Sequence, residues 1–342
     1  MPAMNERRTT NILLLIIVIP LVFYLLKILG FIFIPLIFSM FIALLFLPLM
    51  RWLGKKKVPK ALSIIIVILI IIGGLKLGAE LVQISSREIL NSETDFFIKA
   101  EEKFDLLLLT AQETFGFQVE DKKTVLQEFV DTENIGVTID FFRKTTTMIL
   151  MTAFFVVLWL AESINIQKVL NTVILKQKHT SVKTFVKIEK DLITFIKVKF
   201  LISAATGIGT GLACFFFDVS FPIFWGLFAF LINFVQMVGS IITVILLSMF
   251  AFIELDPTST LFFFVVTITG VQVLFGSILE PIFMGKSFSL NVITVLVMLM
   301  LWGYIWGVPG LIMSIPITVF IKIMLEQFPN TKVIANLLSG KH

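Results

Sequence analysis

Cysteine is nearly missing from this chain and histidine is scarce, with one Cys and two His among 342 residues. A lone Cys214 cannot close an intrachain disulfide, and a structural zinc site needs several such ligands. Set in an apolar stretch, Cys214 reads as a small buried hydrophobe. Charge is sparse as well. Only 15% of the residues are Asp, Glu, Lys or Arg, against about 25% in ordinary soluble domains. Nothing along the chain combines a nucleophile, a base and an orienting acid, so no enzyme, metal centre or cofactor is expected. Gly207, Gly209 and Gly211 in TGIGTGLA come with no Walker lysine. Small residues spaced this way in an apolar helix point to close helix contact.

What the chain has in quantity is apolar surface: 58% of its residues are hydrophobic and 13% aromatic. A bilayer core about 30 Å thick needs about 20 apolar residues at 1.5 Å each. The sequence supplies such runs repeatedly. A transmembrane barrel would alternate in polarity over short segments, and ALSIIIVILIIIGGL does not. The fold class expected is therefore an all-α polytopic membrane protein with about eight transmembrane helices. Some of these are broken or re-entrant in the C-terminal half, and a small helical insertion lies outside the membrane.

Residues 1–79 hold the N-terminal membrane helices. A hairpin of about Asn11–Leu29 and Phe31–Met50 is followed, after RWLGKKKVPK, by a third span at about Ala61–Ala79. No small-residue cleavage site follows the first run, which reads as a retained span. Composition then changes sharply. Between Glu80 and Lys144 stand fourteen acids and seven bases, a local charge of −7, so residues 80–146 read as an acidic extracytoplasmic helical segment. Phe97, Phe104, Leu108, Ala111 and Phe115 share one helical face there, and a second helix carries Val125, Leu126 and Phe129.

A fourth span occupies 147–162. Residues 163–199 form a basic amphipathic segment with eight lysines against two acids. On it Val182, Phe185, Val186, Glu189, Ile193 and Ile196 trace one face, and Lys183, Lys187, Lys190 and Lys197 another, which suits anionic headgroups rather than nucleic acid. Residues 200–325 make a C-terminal transport core, and 326–342 a tail. The runs Phe221–Ile253 and Leu290–Leu325 exceed a simple crossing and allow a tilted helix, a broken helix or a re-entrant hairpin. Positive residues flank cytoplasmic ends, so the Arg51–Lys60 loop, the lysine-rich stretch and both termini are expected inside an inner (plasma) membrane.

Polar groups kept in apolar segments mark pathways or packing. They gather in the C-terminal half: Asn233, Gln236, Gln272, Glu280, Lys286 and Asn291. Glu280 precedes Pro281, which should leave backbone carbonyls free for a cation or polar solute. The alternative is a loop-end carboxylate paired with Lys286 or with headgroups. For Asn233, Gln236 and Gln272 the alternative is interhelical hydrogen bonding. Breaks or gates are expected at Gly239, Pro281, Gly285, Gly307, Pro309, Gly310 and Pro316. Lys27 and Lys76 are expected to snorkel to an interface.

The stretches LINFVQMVGSII, Gln272 with LEPIFMGKSFSLN, and LWGYIWGVPGLIMSIPITVFIKIML make the chain resemble the autoinducer-2 exporter family, or PerM-like permeases. The likeness covers nearly the whole chain and is weakest in the acidic segment. One departure is Gln236, where the family usually has proline in a pattern like NFIPxxG. The resemblance implies export of a small polar signal in some members and exchange of sodium or lithium for protons in others. It also implies homo-oligomers, reportedly pentameric, and draws Glu280, Gln272, Asn233 and Gly239 toward a transport role. The function expected is passage of a small hydrophilic solute. Rivals are a cation/proton antiporter using Glu280, and a non-transporting scaffold that docks partners through 80–146.

Overall fold

A backbone N–H in lipid finds no water, so an apolar run must satisfy its own hydrogen bonds by forming a helix. The computed structural model, which describes residues 2–115, 147–162, 180–235, 238–255, 259–285, 290–327 and 331–340, is built in this way. Among the described residues there is no strand. By length and composition, six helical stretches suffice to cross a membrane: Thr9–Ile28, Gly30–Lys55, Lys60–Glu88, Val186–Phe216, Ser259–Met284 and Val292–Glu326. Three shorter apolar helices, Thr147–Glu162, Pro222–Ile232 and Val238–Glu254, accompany them.

Two of these helices are longer than composition alone suggested. The third span does not stop at Ala79, because helix α3 runs unbroken from Lys60 to Phe115. No proline or turn signal follows Gly78, and the acidic stretch simply continues the helix at lower hydropathy. The face carrying Phe97 to Phe115 belongs to α3, but its side chains lie outside the described residues, as do Val125, Leu126 and Phe129. Likewise the described part of the basic segment, from Thr180 onward, and the fifth span share one helix, which with helices α1 (Pro2–Ile28), α2 (Gly30–Lys55) and α4 (Thr147–Glu162) before it is numbered α5 (Thr180–Phe216). On its first turns Ile188, Leu192, Ile193, Phe195 and Ile196 are buried and Lys187, Lys190 and Lys197 exposed. Val186, expected on the apolar side, is exposed.

The chain divides into two compact units. One comprises Met1–Val67, Thr147–Lys197 and Lys286–His342. In it the hairpin break falls at Leu29, between α1 and α2. Here Trp306 Nε1 donates to the Leu26 carbonyl at 2.9 Å, and Lys27 Nζ lies 3.8 Å from the centre of the Tyr304 ring. Arg51 pairs with Glu189. The long last run is two helices rather than one. It turns at Gly307, whose φ of 62° and ψ of −139° suit a residue without Cβ. Gly310 then packs against the Trp302 carbonyl, where a side chain has no room.

The other unit comprises Ile68–Thr146 and Val198–Gly285. The run Phe221–Ile253 appears in it as a hairpin of α6 (Pro222–Ile232) and α7 (Val238–Glu254). Trp225 meets Phe250 at 5.2 Å near one end, and Gly239 abuts the Ile232 carbonyl at the other. Eleven residues of helix span only about 17 Å, so α6 cannot be a tilted crossing. Gly207, Gly211 and Gly226 let α5 and α6 touch backbone to backbone, as the glycine spacing implied. Cys214, Trp225, Leu247, Ala251, Phe264 and Ile268 form the apolar core of this unit. Lys103, from the far part of α3, donates to the carbonyls of Phe252 (3.0 Å) and Leu255 (2.5 Å) where α7 ends.

Candidate functional site

Four polar residues recur along one line of α5: Lys199, Ser203, Thr206 and Thr210, at spacings of 4, 3 and 4. That spacing puts them on a single helical face, and all four are buried. Thr206 Oγ1 donates to the Ile202 carbonyl at 2.9 Å, whereas Thr210 Oγ1 finds no partner among the described residues. Such a stripe is costly in a membrane helix unless other polar groups meet it.

They do meet it. Helix α8 (Ser259–Gln272) runs into a π-helical segment, Val273–Leu279, and then into the short α9 (Glu280–Met284). The cause is local. Pro281 offers no N–H, and in a regular α-helix its ring would crowd the carbonyl four residues back, on Ser277. A wider turn relieves this, and the Glu280 N–H donates to the Phe275 carbonyl, five residues back. Gly276, with no side chain, lets the segment approach Ser240 of α7. Gly285, at φ 72°, ends α9.

The result is a buried ion pair. Lys199 Nζ donates to both carboxylate oxygens of Glu280, at 2.9 and 3.0 Å, and the two residues are 2% and 3% exposed. Asn233, at the end of α6, is also buried and donates through Nδ2 to Ser203 Oγ at 3.0 Å. Gln272 is buried with its Oε1 unpartnered among the described residues. Lys199, Asn233, Ser240, Gln272, Ser277 and Glu280 line one cavity of about 530 Å³, whose wall also includes the apolar residues Ile241, Val244 and Val273. Volumes of about 300 to 1,000 Å³ are usual for small-molecule sites.

Of the residues singled out from the sequence, the structure thus brings Glu280, Gln272 and Asn233 together, with Gly239 and Pro281 shaping the breaks beside them. Lys286 and Gln236 lie outside the described residues, and the described partner of Glu280 is Lys199. Asn291 sits in the other unit, where its side chain caps helix α10 (Val292–Trp306) by accepting from the Ile293 N–H at 3.3 Å. Gly307, Pro309, Gly310 and Pro316 also belong to that unit, at the turn into and within α11 (Val308–Glu326). Lys199 was the residue missed. It closes a run of lysines and so reads as one more headgroup contact. Its register with Ser203, Thr206 and Thr210 was the available signal.

A sequence profile described as AI-2E family transporter matches residues 13–330. An inferred transport protein of Haemophilus influenzae is 25% identical over 318 residues, which cover 89% of this chain and 89% of that protein. An inferred transport protein of Borreliella burgdorferi is 31% identical over 147 residues, 43% of this chain and 41% of its own length. The AI-2 transport protein TqsA of Escherichia coli is 31% identical over 154 residues, 42% of each chain.

Proposed function

The chain belongs to the AI-2E family of transporters, and from that premise we propose that it passes a small hydrophilic solute through the cavity around Lys199 and Glu280. The observation that carries this reading is the cavity itself. Polar side chains from α5, α6, α7, α8 and α9 converge on one space within helices that are otherwise apolar, and Gln272 Oε1 there has no described partner. Polar groups that serve packing alone commonly hydrogen-bond across helices. The similarity to a relative named for AI-2 transport supports a solute like autoinducer-2, and export as its direction is proposed from the resemblance to the autoinducer-2 exporter family alone. The sequence carries no ATP-binding motif, so uphill movement would draw on an ion gradient. Assembly as a homo-oligomer in an inner membrane belongs to the same proposal, by family resemblance.

A second reading is exchange of sodium or lithium for protons at Glu280. It is favoured by the burial of that carboxylate in the same cavity. Flux into purified proteoliposomes, against hydrophilic signalling molecules and monovalent cations, separates the two. Glu280→Gln should abolish proton-coupled cation flux, whereas solute passage should keep appreciable flux. Ser277→Cys, capped with a bulky thiol reagent, should cut solute flux about tenfold or more by filling the cavity. Unchanged flux after complete capping would remove the cavity as the route.

A further inference from the structure

Resting on the reading of this cavity as the solute's path, we propose that Lys199 sets its charge selectivity. The ammonium cancels Glu280 inside the cavity, so the path admits compact uncharged solutes and holds back inorganic ions of either sign. Among the described residues the other polar side chains of the lining, such as Asn233, Ser240, Gln272 and Ser277, are neutral, so the described lining carries one positive and one negative charge. Those two charges are in direct contact through both carboxylate oxygens, at 2.9 and 3.0 Å. A pair held this closely presents a dipole rather than a net charge to anything entering. Their burial keeps water from screening either partner, so the loss of one would expose the full field of the other.

An ion entering such a space sheds water and meets no net opposite charge. An uncharged solute with hydroxyl or amide donors meets Gln272 Oε1, which is buried and unpartnered among the described residues, and the hydroxyls of Ser240 and Ser277 on the cavity wall. The same lining therefore favours one class and penalises the other. Lys199 makes the difference, because without it the cavity holds a bare carboxylate.

The test uses the full chain in proteoliposomes, with erythritol as the uncharged probe and potassium and chloride as the ions. The native protein should pass erythritol and exclude both ions. Lys199→Met should raise potassium permeation about tenfold or more with chloride unchanged, and Glu280→Gln should do the same for chloride with potassium unchanged. The paired variant K199M/E280Q should pass erythritol and exclude both ions again. Single variants that leave both ion permeabilities at the native value, or that leak the same ion, overturn the proposal. So does native protein that conducts either ion as fast as erythritol. Should a lone buried charge keep the single variants from folding, the paired variant decides, since it strands no charge. Ion exclusion with retained erythritol flux supports the proposal, and an ion leak sinks it. Erythritol flux that survives a capped Ser277→Cys would instead count against the cavity as the path, a different failure from a wrong ion pattern.

Discussion

Lys199 and Glu280 illustrate how one residue's worth depends on its partner. Removing one member of a buried pair strands the other charge and costs about 3–5 kcal/mol, whereas removing both together is often near neutral. Thermal unfolding in detergent should therefore show Lys199→Met and Glu280→Gln each strongly destabilised, with K199M/E280Q recovering most of the loss. Equal losses in single and paired variants would mean that the two side chains act independently. Ser203 offers a gentler probe at the same site. Its hydroxyl oxygen accepts from Asn233 Nδ2 at 3.0 Å, with both residues buried. Leaving a buried donor unpaired costs about 1–3 kcal/mol, so Ser203→Ala should lower the unfolding midpoint. Ser203→Thr, which keeps an acceptor oxygen, should lower it less.

Between residue and molecule stands the element, and here the π-helical segment Val273–Leu279 matters most. In α-geometry each residue turns the chain by about 100°, so a change of register by one residue swings everything beyond it to another face. Inserting one alanine between Gln272 and Val273, ahead of this segment, should carry Glu280 away from Lys199. Stability should then fall at least as far as in Lys199→Met, and solute flux should fall with it, although no charge has been removed. Flux unchanged by the insertion would show that the helix register does not matter. Gly307 governs the other unit's helical turn in a similar way. Backbone at φ 62° and ψ −139° is held almost only by glycine, and strain of this kind costs about 1–3 kcal/mol. Gly307→Ala should therefore lower the unfolding midpoint, while Gly54→Ala, where an added Cβ meets nothing, should not lower it.

For the molecule as a whole, composition and charge were legible from the start because lipid imposes them directly: apolar runs must be helices, and lysines gather where chains turn. Glu280, Gln272 and Asn233 were legible for the same reason, since polar groups are conspicuous in apolar sequence. Lys199 was not. A lysine at the end of a basic run is unremarkable until the helix is known to continue through it, and no residue between Thr180 and Phe216 announces that continuity. The joining of α3 was hidden in the same way, because composition changes at Glu80 while the backbone does not. The placement of the ends inside and the acidic segment outside rests on charge alone, with −7 between Glu80 and Lys144 and five basic residues between Arg51 and Lys60. Single cysteines in a Cys214→Ala background put this to measurement. Asp105→Cys should react with a membrane-impermeant maleimide in intact cells, and Lys55→Cys, exposed where α2 ends, only after permeabilisation. Because α3 leads from that basic loop into the acidic stretch in one unbroken helix, the two positions must report opposite sides. Labelling of both from one side would mean that α3 does not cross the bilayer.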